Sequence, residues 1–209
     1  MRRIRIVVAY DGTNYCGWQI QPNGITIEEI LNRQISKLTG EDIRIIGASR
    51  TDSGVHALGN VAVFDTESRI PGDRFAYALN QKMPEDIVIV RSDEVQIDWH
   101  PRYQNEISKT YEYHIYNAKV RNPLKNRYST FVSFDLDVEK MRQGAKYILG
   151  EHDFASFCNV RTNAKDTVRT VHEITITEIP MDKFQASNWG QENSNLENEK
   201  EIVIRVTGN

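Results

Sequence analysis

Strand-like and helix-like stretches alternate along this chain in a pattern that points to an α+β protein with antiparallel sheets and helices on one face. Three observations carry this. Up to Val90 the segments run strand, helix, strand, strand, helix, strand, the order of sheets covered on one side by helices. A similar series restarts near Lys109. A chain of 209 residues also has room for two small halves, since domains commonly run to ~100–150 residues. We therefore divide it into an N-terminal lobe, residues 1–105, and a C-terminal lobe, residues 106–209.

Arg5–Tyr10 is the first strand, apolar until Asp11-Gly12 ends it. A polar loop through Gln21-Pro22-Asn23-Gly24 follows. Thr26 with Glu29 three residues on reads as a capping box. Ile27, Ile30, Leu31, Gln34, Ile35 and Leu38 then place a mostly apolar face at helical spacing, and Gly40 stops the helix. Ile43–Gly47 and Asn60–Phe64 are predicted strands separated by a loop that is not apolar. Pro71–Gln81 is a second helix with Phe75, Ala78 and Leu79 inward, and Ile87–Val90 a fourth strand.

In the second half Lys109–Asn117 alternates with period two. Val138–Leu149 carries Val138, Met141, Ala145, Ile148 and Leu149 at helical spacing, and Val171–Ile176 and Ile202–Val206 are further strands. Ala186–Lys200, rich in Asn, Glu, Gln and Ser, reads as a flexible excursion. Relative to the first half, the second lacks a last helix and strand.

Composition narrows the function. The basic start of the chain is followed by an apolar stretch too short for a signal peptide, and no apolar run is long enough for a membrane helix. Cys16 and Cys158 form neither a disulfide framework nor a zinc spacing, which suits a cytoplasmic protein with reduced thiols. The net charge of −3 argues mildly against nucleic acid, but its distribution does not. From His100 to Thr130 six basic residues (Arg102, Lys109, Lys119, Arg121, Lys125, Arg127) face two acids, whereas Glu178 to Glu201 holds six acids and two lysines. The first stretch is a candidate phosphate-facing strip, although such runs are more often a solvated face.

The densest chemical constellation is Gly47 to Gly59, which sets Arg50, Asp52 and His56 among small residues in a loop between two strands. Loops on a rigid sheet are where catalytic groups usually sit, though an isolated Asp there more often caps a turn. Arg50-Thr51-Asp52-Ser53-Gly54-Val55-His56-Ala57 resembles the signature around the catalytic aspartate of tRNA pseudouridine synthases of the TruA type. Further blocks follow that family in order: Tyr10-Asp11-Gly12-Thr13-x-Tyr15-x-Gly17-Trp18-Gln19-x-Gln21-Pro22, Ala78-Leu79-Asn80 with Pro84-x-Asp86-Ile87, Lys109-Thr110-Tyr111-x-Tyr113, Gly150-x-His152-Asp153-Phe154-x-x-Phe157, and Val168-Arg169-Thr170-Val171.

The resemblance implies two ferredoxin-like lobes around a central RNA-binding cleft, a homodimer, and isomerisation of uridine to pseudouridine in the anticodon stem-loop of tRNA. It assigns Asp52 as the catalytic carboxylate, ionised in a dry pocket. Arg50 would hold the flipped nucleotide out of the helical stack, and Tyr111 would stack on the uracil. Arg102, Lys109 and Arg169 are the named candidates for RNA contact. Arg2, Arg3, Arg121, Lys125, Arg127, Arg161 and Lys165 form the wider basic set. No cofactor is implied, since the rearrangement is redox-neutral. His56 has no carboxylate or Cys at ligand spacing, so no metal site is expected, and His56, Trp18 and Phe154 read as structural.

Departures from the family are few. Ser49 replaces a common Gly, and His100-Pro101-Arg102 varies a Phe/Trp-His-Ala-Arg pattern. After Gly208-Asn209 the family continues with a Phe-Leu…Met-Val-Arg helix whose arginine pairs with the catalytic aspartate. This sequence stops there, so the second lobe is expected to be incomplete and Asp52 to lack its main cation. A catalytically weak tRNA-binding remnant is the alternative. A hydrolase finds little support, because no second carboxylate is placed to match.

Overall fold

Alternation sets the first strand, β1 (Arg2–Tyr10). Ile4, Ile6, Val8 and Tyr10 are buried, while Arg3, Arg5, Val7 and Ala9 lie on the opposite, half-buried face. In the computed structural model, residues 1–103, 108–158, 166–180 and 199–209 are described. They fall into two units, Met1–Ile107 and Ser108–Asn209.

In the first unit β1 pairs antiparallel with β3 (Ala57–Thr66) on one side and β4 (Ile87–Val95) on the other. A two-residue β2 (Ile46–Gly47) completes the order β2-β3-β1-β4. Helix α1 (Ile27–Thr39) begins as expected: the Thr26 hydroxyl accepts from Glu29 N–H. It ends at Gly40, whose φ of 76° is the left-handed conformation that closes a helix. The predicted second helix is a 3-10 turn, Gly72–Arg74, running into α2 (Phe75–Asn80). Ile4, Ile6, Leu31, Ile35, Phe64 and Phe75 belong to one buried core with both helices.

β1, β3 and β4 run longer than expected, and one boundary moves for an identifiable reason. The predicted strand at Ile43 shortens because the N–H groups of Ile43 and Ile45 go to Ser36 Oγ and Asn32 Oδ1 on α1 instead of to β3. β4 carries an irregularity opposite Val7 and Val8. There the Asn80 side chain serves both main-chain groups of Ile89, at 2.8 and 2.9 Å.

The second unit contains β5 (Lys109–Asn117), β6 (Thr130–Val132), α3 (Val138–Ala145), β7 (Gly150–Asp153), β8 (Val168–Pro180) and β9 (Lys200–Gly208), in the sheet order β6-β5-β9-β8-β7. The expectation of antiparallel sheets fails at one pair. β6 runs parallel to β5, because the turn-rich segment 118–129 carries the chain back before β6 starts. Helix α3 stops short of the predicted Leu149, where Lys146, Tyr147 and Ile148 donate three residues back and tighten the chain into turns. Its core is small, formed by Ile115, Val138 and Ile202 with half-buried neighbours such as Met141 and Ile204. The expected Asn-rich excursion falls almost wholly on residues 181–198, outside the described ones. No helix of the described residues is long and apolar enough to cross a membrane.

Candidate active site

Residues 48–56 leave β2 and enter β3 as a loop without helix or strand structure, so their positions depend on bonds from elsewhere. Four segments supply them. Trp18 N–H donates to Thr51 O at 3.0 Å, and Ser53 Oγ and Gly54 N–H both donate to Tyr15 O. The Tyr10 hydroxyl lies 2.8 Å from Thr51 Oγ1. From β3, the Asn60 amide donates to Ser49 O at 3.1 Å and reaches the Tyr10 hydroxyl at 3.4 Å. Arg102 Nε donates to Gly47 O at 2.8 Å.

Packing fixes the same arrangement. The Trp18 indole is 2% exposed and lies so close to Gly47 that a Cβ there would meet its Nε1 at 2.6 Å. Tyr15 is anchored in turn by its hydroxyl, which donates to Asp86 Oδ1 at 2.6 Å. Burial first, and then the Asp86 bond, push that phenol well above its ordinary range.

His56 acquires what sequence spacing did not offer it, a carboxylate. Its Nδ1 lies 3.0 Å from Asp11 Oδ1 and 3.2 Å from Gly12 N. The nitrogen accepts from Gly12 when unprotonated and donates to Asp11 when protonated. The Asp11 carboxylate also accepts from Thr13 N–H. Among the described residues no cluster of three His, Cys, Asp or Glu side chains could hold a metal.

Asp52 and Arg50 project from this platform, and both are exposed. Among the described residues no ion pair joins them. This corrects the expectation of a dry pocket around Asp52. Every anchor of the loop uses the main chain or the side chains of Thr51, Ser53 and His56, which turns the Asp52 carboxylate to solvent. Sequence reasoning named Tyr10 and Asp86 only as members of family blocks and Asn60 only as a strand end, and missed their holding role. Tyr10, Asn60 and Asp86 carry no chemistry of their own there, and the available signal was the density of Gly and Tyr between Tyr10 and Trp18.

In the second unit Tyr111 lies on β5 opposite Val206, 55% exposed. Lys109 begins the same strand, opposite Gly208. Arg169 is exposed on β8, with one guanidinium nitrogen 3.2 Å from Asp166 O. The wider basic set shrinks. Arg2 pairs with Glu94, Arg3 bidentately with Asp65, and Lys125 with Glu201 at 2.9 Å. Arg121 lies over the Phe131 ring. Arg161 and Lys165 lie outside the described residues.

A family profile described as tRNA pseudouridine synthase matches residues 6–104 and 145–209, more than half of the chain. The chain belongs to the tRNA pseudouridine synthase family. Individual members agree along most of its length. tRNA pseudouridine synthase A of Acetivibrio thermocellus is 47% identical over 191 residues, 91% of this chain and 78% of that protein. The tRNA pseudouridine synthase A of Thermoanaerobacter sp. is 46% identical over 84% of this chain and 72% of its own. tRNA pseudouridine synthase A 2 of Clostridium perfringens is 48% identical with the same coverage. The profile match includes both the β1–loop platform and the Asp52 loop, so the two parts that hold each other together belong to one pattern of the tRNA pseudouridine synthases.

Proposed function

We propose that this chain isomerises uridine to pseudouridine in tRNA, with Asp52 as the catalytic carboxylate. The observation that carries the reading is the projection of Asp52 and Arg50 from a loop anchored to β1, β3, Arg102 and the segment from Asp11 to Trp18. Catalysis by positioning needs such a rigid base beneath an accessible group.

The reaction breaks the C1′–N1 glycosidic bond, turns the base and joins C5 to C1′, with the C5 proton lost and a proton taken up at N1, so the product is an isomer. A carboxylate serves it by adding to the base, adding to C1′, or removing a sugar proton, and all three routes use Asp52. A uridine inside a stem cannot reach that side chain, so the nucleotide leaves the stack first. Arg50, two residues away, occupies the vacated position, and Tyr111 stacks on the base. The flipped base then excludes water from a carboxylate that is open in the protein alone, which strengthens its interaction with developing positive charge.

The same reading takes the anticodon stem-loop as target and Arg102, Lys109 and Arg169 as phosphate contacts. It includes a homodimer of this chain and a ferredoxin-like form for the lobes on either side of an RNA cleft. The strand order β2-β3-β1-β4 with two helices supports that form for the first unit.

The test is tritium release from 5-tritiated uridine in an anticodon-arm transcript. Release by the parent chain and none by Asp52→Ala supports the assignment. Equal release by both removes Asp52 from the chemistry. No release by the parent with tRNA still bound replaces the enzyme by a tRNA-binding protein.

A further inference from the structure

A cavity of about 350 Å³ opens in the first unit between α1, the turn that follows α2, and the loop at Asn14 and Tyr15. Its volume is that of a small-ligand site, but it is an open depression on the surface, not an enclosed pocket. Its apolar wall includes the buried Tyr15 and Ile30 and the half-buried Met83. Arg33 and Lys82 also line it, both exposed, and neither side chain forms a hydrogen bond or ion pair with any described residue. By contrast, the β1 cations Arg2, Arg3 and Arg5 each sit on a carboxylate, of Glu94, Asp65 and Asp93. No carboxylate lines the cavity.

A slot that sets Ile25, Ile30, Met83 and the edge of Tyr15 beside the amides of Asn14 and Gln34 and two cationic side chains matches a nucleotide. The base takes the apolar surface, and the phosphate takes the cations. The position matters as much as the chemistry. Tyr15, which walls the cavity, accepts from Ser53 Oγ and Gly54 N–H through its main-chain oxygen, directly after Asp52 in the chain. A ligand packed on Tyr15 therefore bears on the residue that props the Asp52 loop.

We propose that this cavity seats one nucleotide of the RNA substrate, with its base against Tyr15, Ile30 and Met83 and its phosphate between Arg33 and Lys82. It is a second anchoring point, distinct from the target uridine. The inference rests on the reading of the chain as a tRNA-modifying enzyme, and it is tested at two levels.

The first is a methyl NMR titration of the full chain with uridine 5′-monophosphate, uridine and inorganic phosphate, read at the Met83 methyl. A saturable Met83 shift with the monophosphate, weaker with uridine and lost in Arg33→Ala/Lys82→Ala, supports the site. No Met83 shift overturns it, and an equal response to phosphate alone reduces it to an anion site and overturns the base contact. The second level is tRNA affinity across a salt series. The double variant, shown to fold by its thermal melt, is expected to raise Kd roughly tenfold and to flatten the log–log salt slope by about one to two. Unchanged affinity and slope would overturn the RNA role. Persistent turnover by Asp52→Ala would instead sink the catalytic assignment, and the Met83 titration would still decide the cavity.

Discussion

The Tyr10 hydroxyl lies 2.8 Å from Thr51 Oγ1, joining the buried end of β1 to the residue before Asp52. The Asn60 amide bonds Ser49 O, directly before Arg50, and also reaches the Tyr10 hydroxyl. One buried polar network thus sets the chain on which both Arg50 and Asp52 are mounted. Tyr10→Phe keeps the ring against Trp18 and removes only the hydroxyl. It is expected to cost about 1–3 kcal/mol, because partners buried beside Tyr10 lose a hydrogen bond. It should also lower kcat in the tritium-release assay more than it changes KM. A thermal melt measures the first effect, and an unchanged kcat would detach the network from catalysis.

Glycines around the loop are predicted to differ in tolerance. A Cβ on Gly12 would fall 2.1 Å from Val55 O, a main-chain atom of the loop that cannot move alone. Gly54 has φ of 78° but open space around it. Gly12→Ala is therefore expected to destabilise by at least the 1–3 kcal/mol typical of overpacking. Gly54→Ala should cost only the left-handed backbone penalty, about 1–2 kcal/mol. Urea denaturation of the two variants gives the ranking, and a reversed order would mean that the Gly12 segment shifts to make room.

Much of this was readable before the structure. β1 and α1 with its Thr26 and Gly40 boundaries follow from apolar periodicity and cap chemistry alone, whereas β5 was read from residue alternation although its burial runs from an exposed start to a buried end. β6 and β7 were not legible, because three or four residues such as Gly150–Asp153 show no apolar alternation and are held by main-chain pairing. The start of β2 was lost to Asn32 and Ser36, whose bonds to Ile45 and Ile43 cross from helix to strand. The site divides in the same way. Asp52, Arg50 and Tyr111 could be named from motifs, whereas the contacts of Tyr10, Asn60 and Asp86 join residues 11 to 71 positions apart, across different elements and beyond the reach of local pattern.

A charged chain across the second sheet predicts an acid-sensitive unit. Arg205 donates to the Glu112 carboxylate, His114 lies between Glu112 and Glu201, and Lys125 bonds Glu201. The Arg205 bond outweighs burial and, with His114, holds Glu112 below the ordinary glutamate range. For Glu201 burial acts upward, but the bonds from His114 and Lys125 together outweigh it, and this carboxyl also lies low. Because both folded values lie below the unfolded one, their stabilisation is fully present above the ordinary glutamate pKa, about 4.3. It is lost as pH falls through the depressed values. Thermal melts from pH 7 down to pH 3 should show the loss below about pH 4, and Glu112→Gln or Glu201→Gln should flatten it. An equally steep profile in both variants would place the acid sensitivity elsewhere.

Tyr111 and Tyr113 share one face of β5 and are almost equally exposed, at 55% and 54%, yet their commitments differ. The Tyr113 hydroxyl lies 2.7 Å from Thr130 Oγ1, holding β6 against β5, whereas Tyr111 pairs through its main chain with Val206. Replacing each by Val keeps strand propensity and separates ring from backbone. Tyr111→Val is expected to lower tRNA turnover by ten- to a hundredfold, the equivalent of about 1–3 kcal/mol of base stacking, with little change in melting temperature. Tyr111→Phe should retain most of the activity, because stacking uses the ring face and not the hydroxyl. Tyr113→Val should instead lower the melting temperature through the lost Thr130 contact. Tritium release and thermal melts of the three variants decide it. If Tyr111→Val lost stability in proportion to activity, its ring would belong to the packing of the sheet and the stacking role would fall.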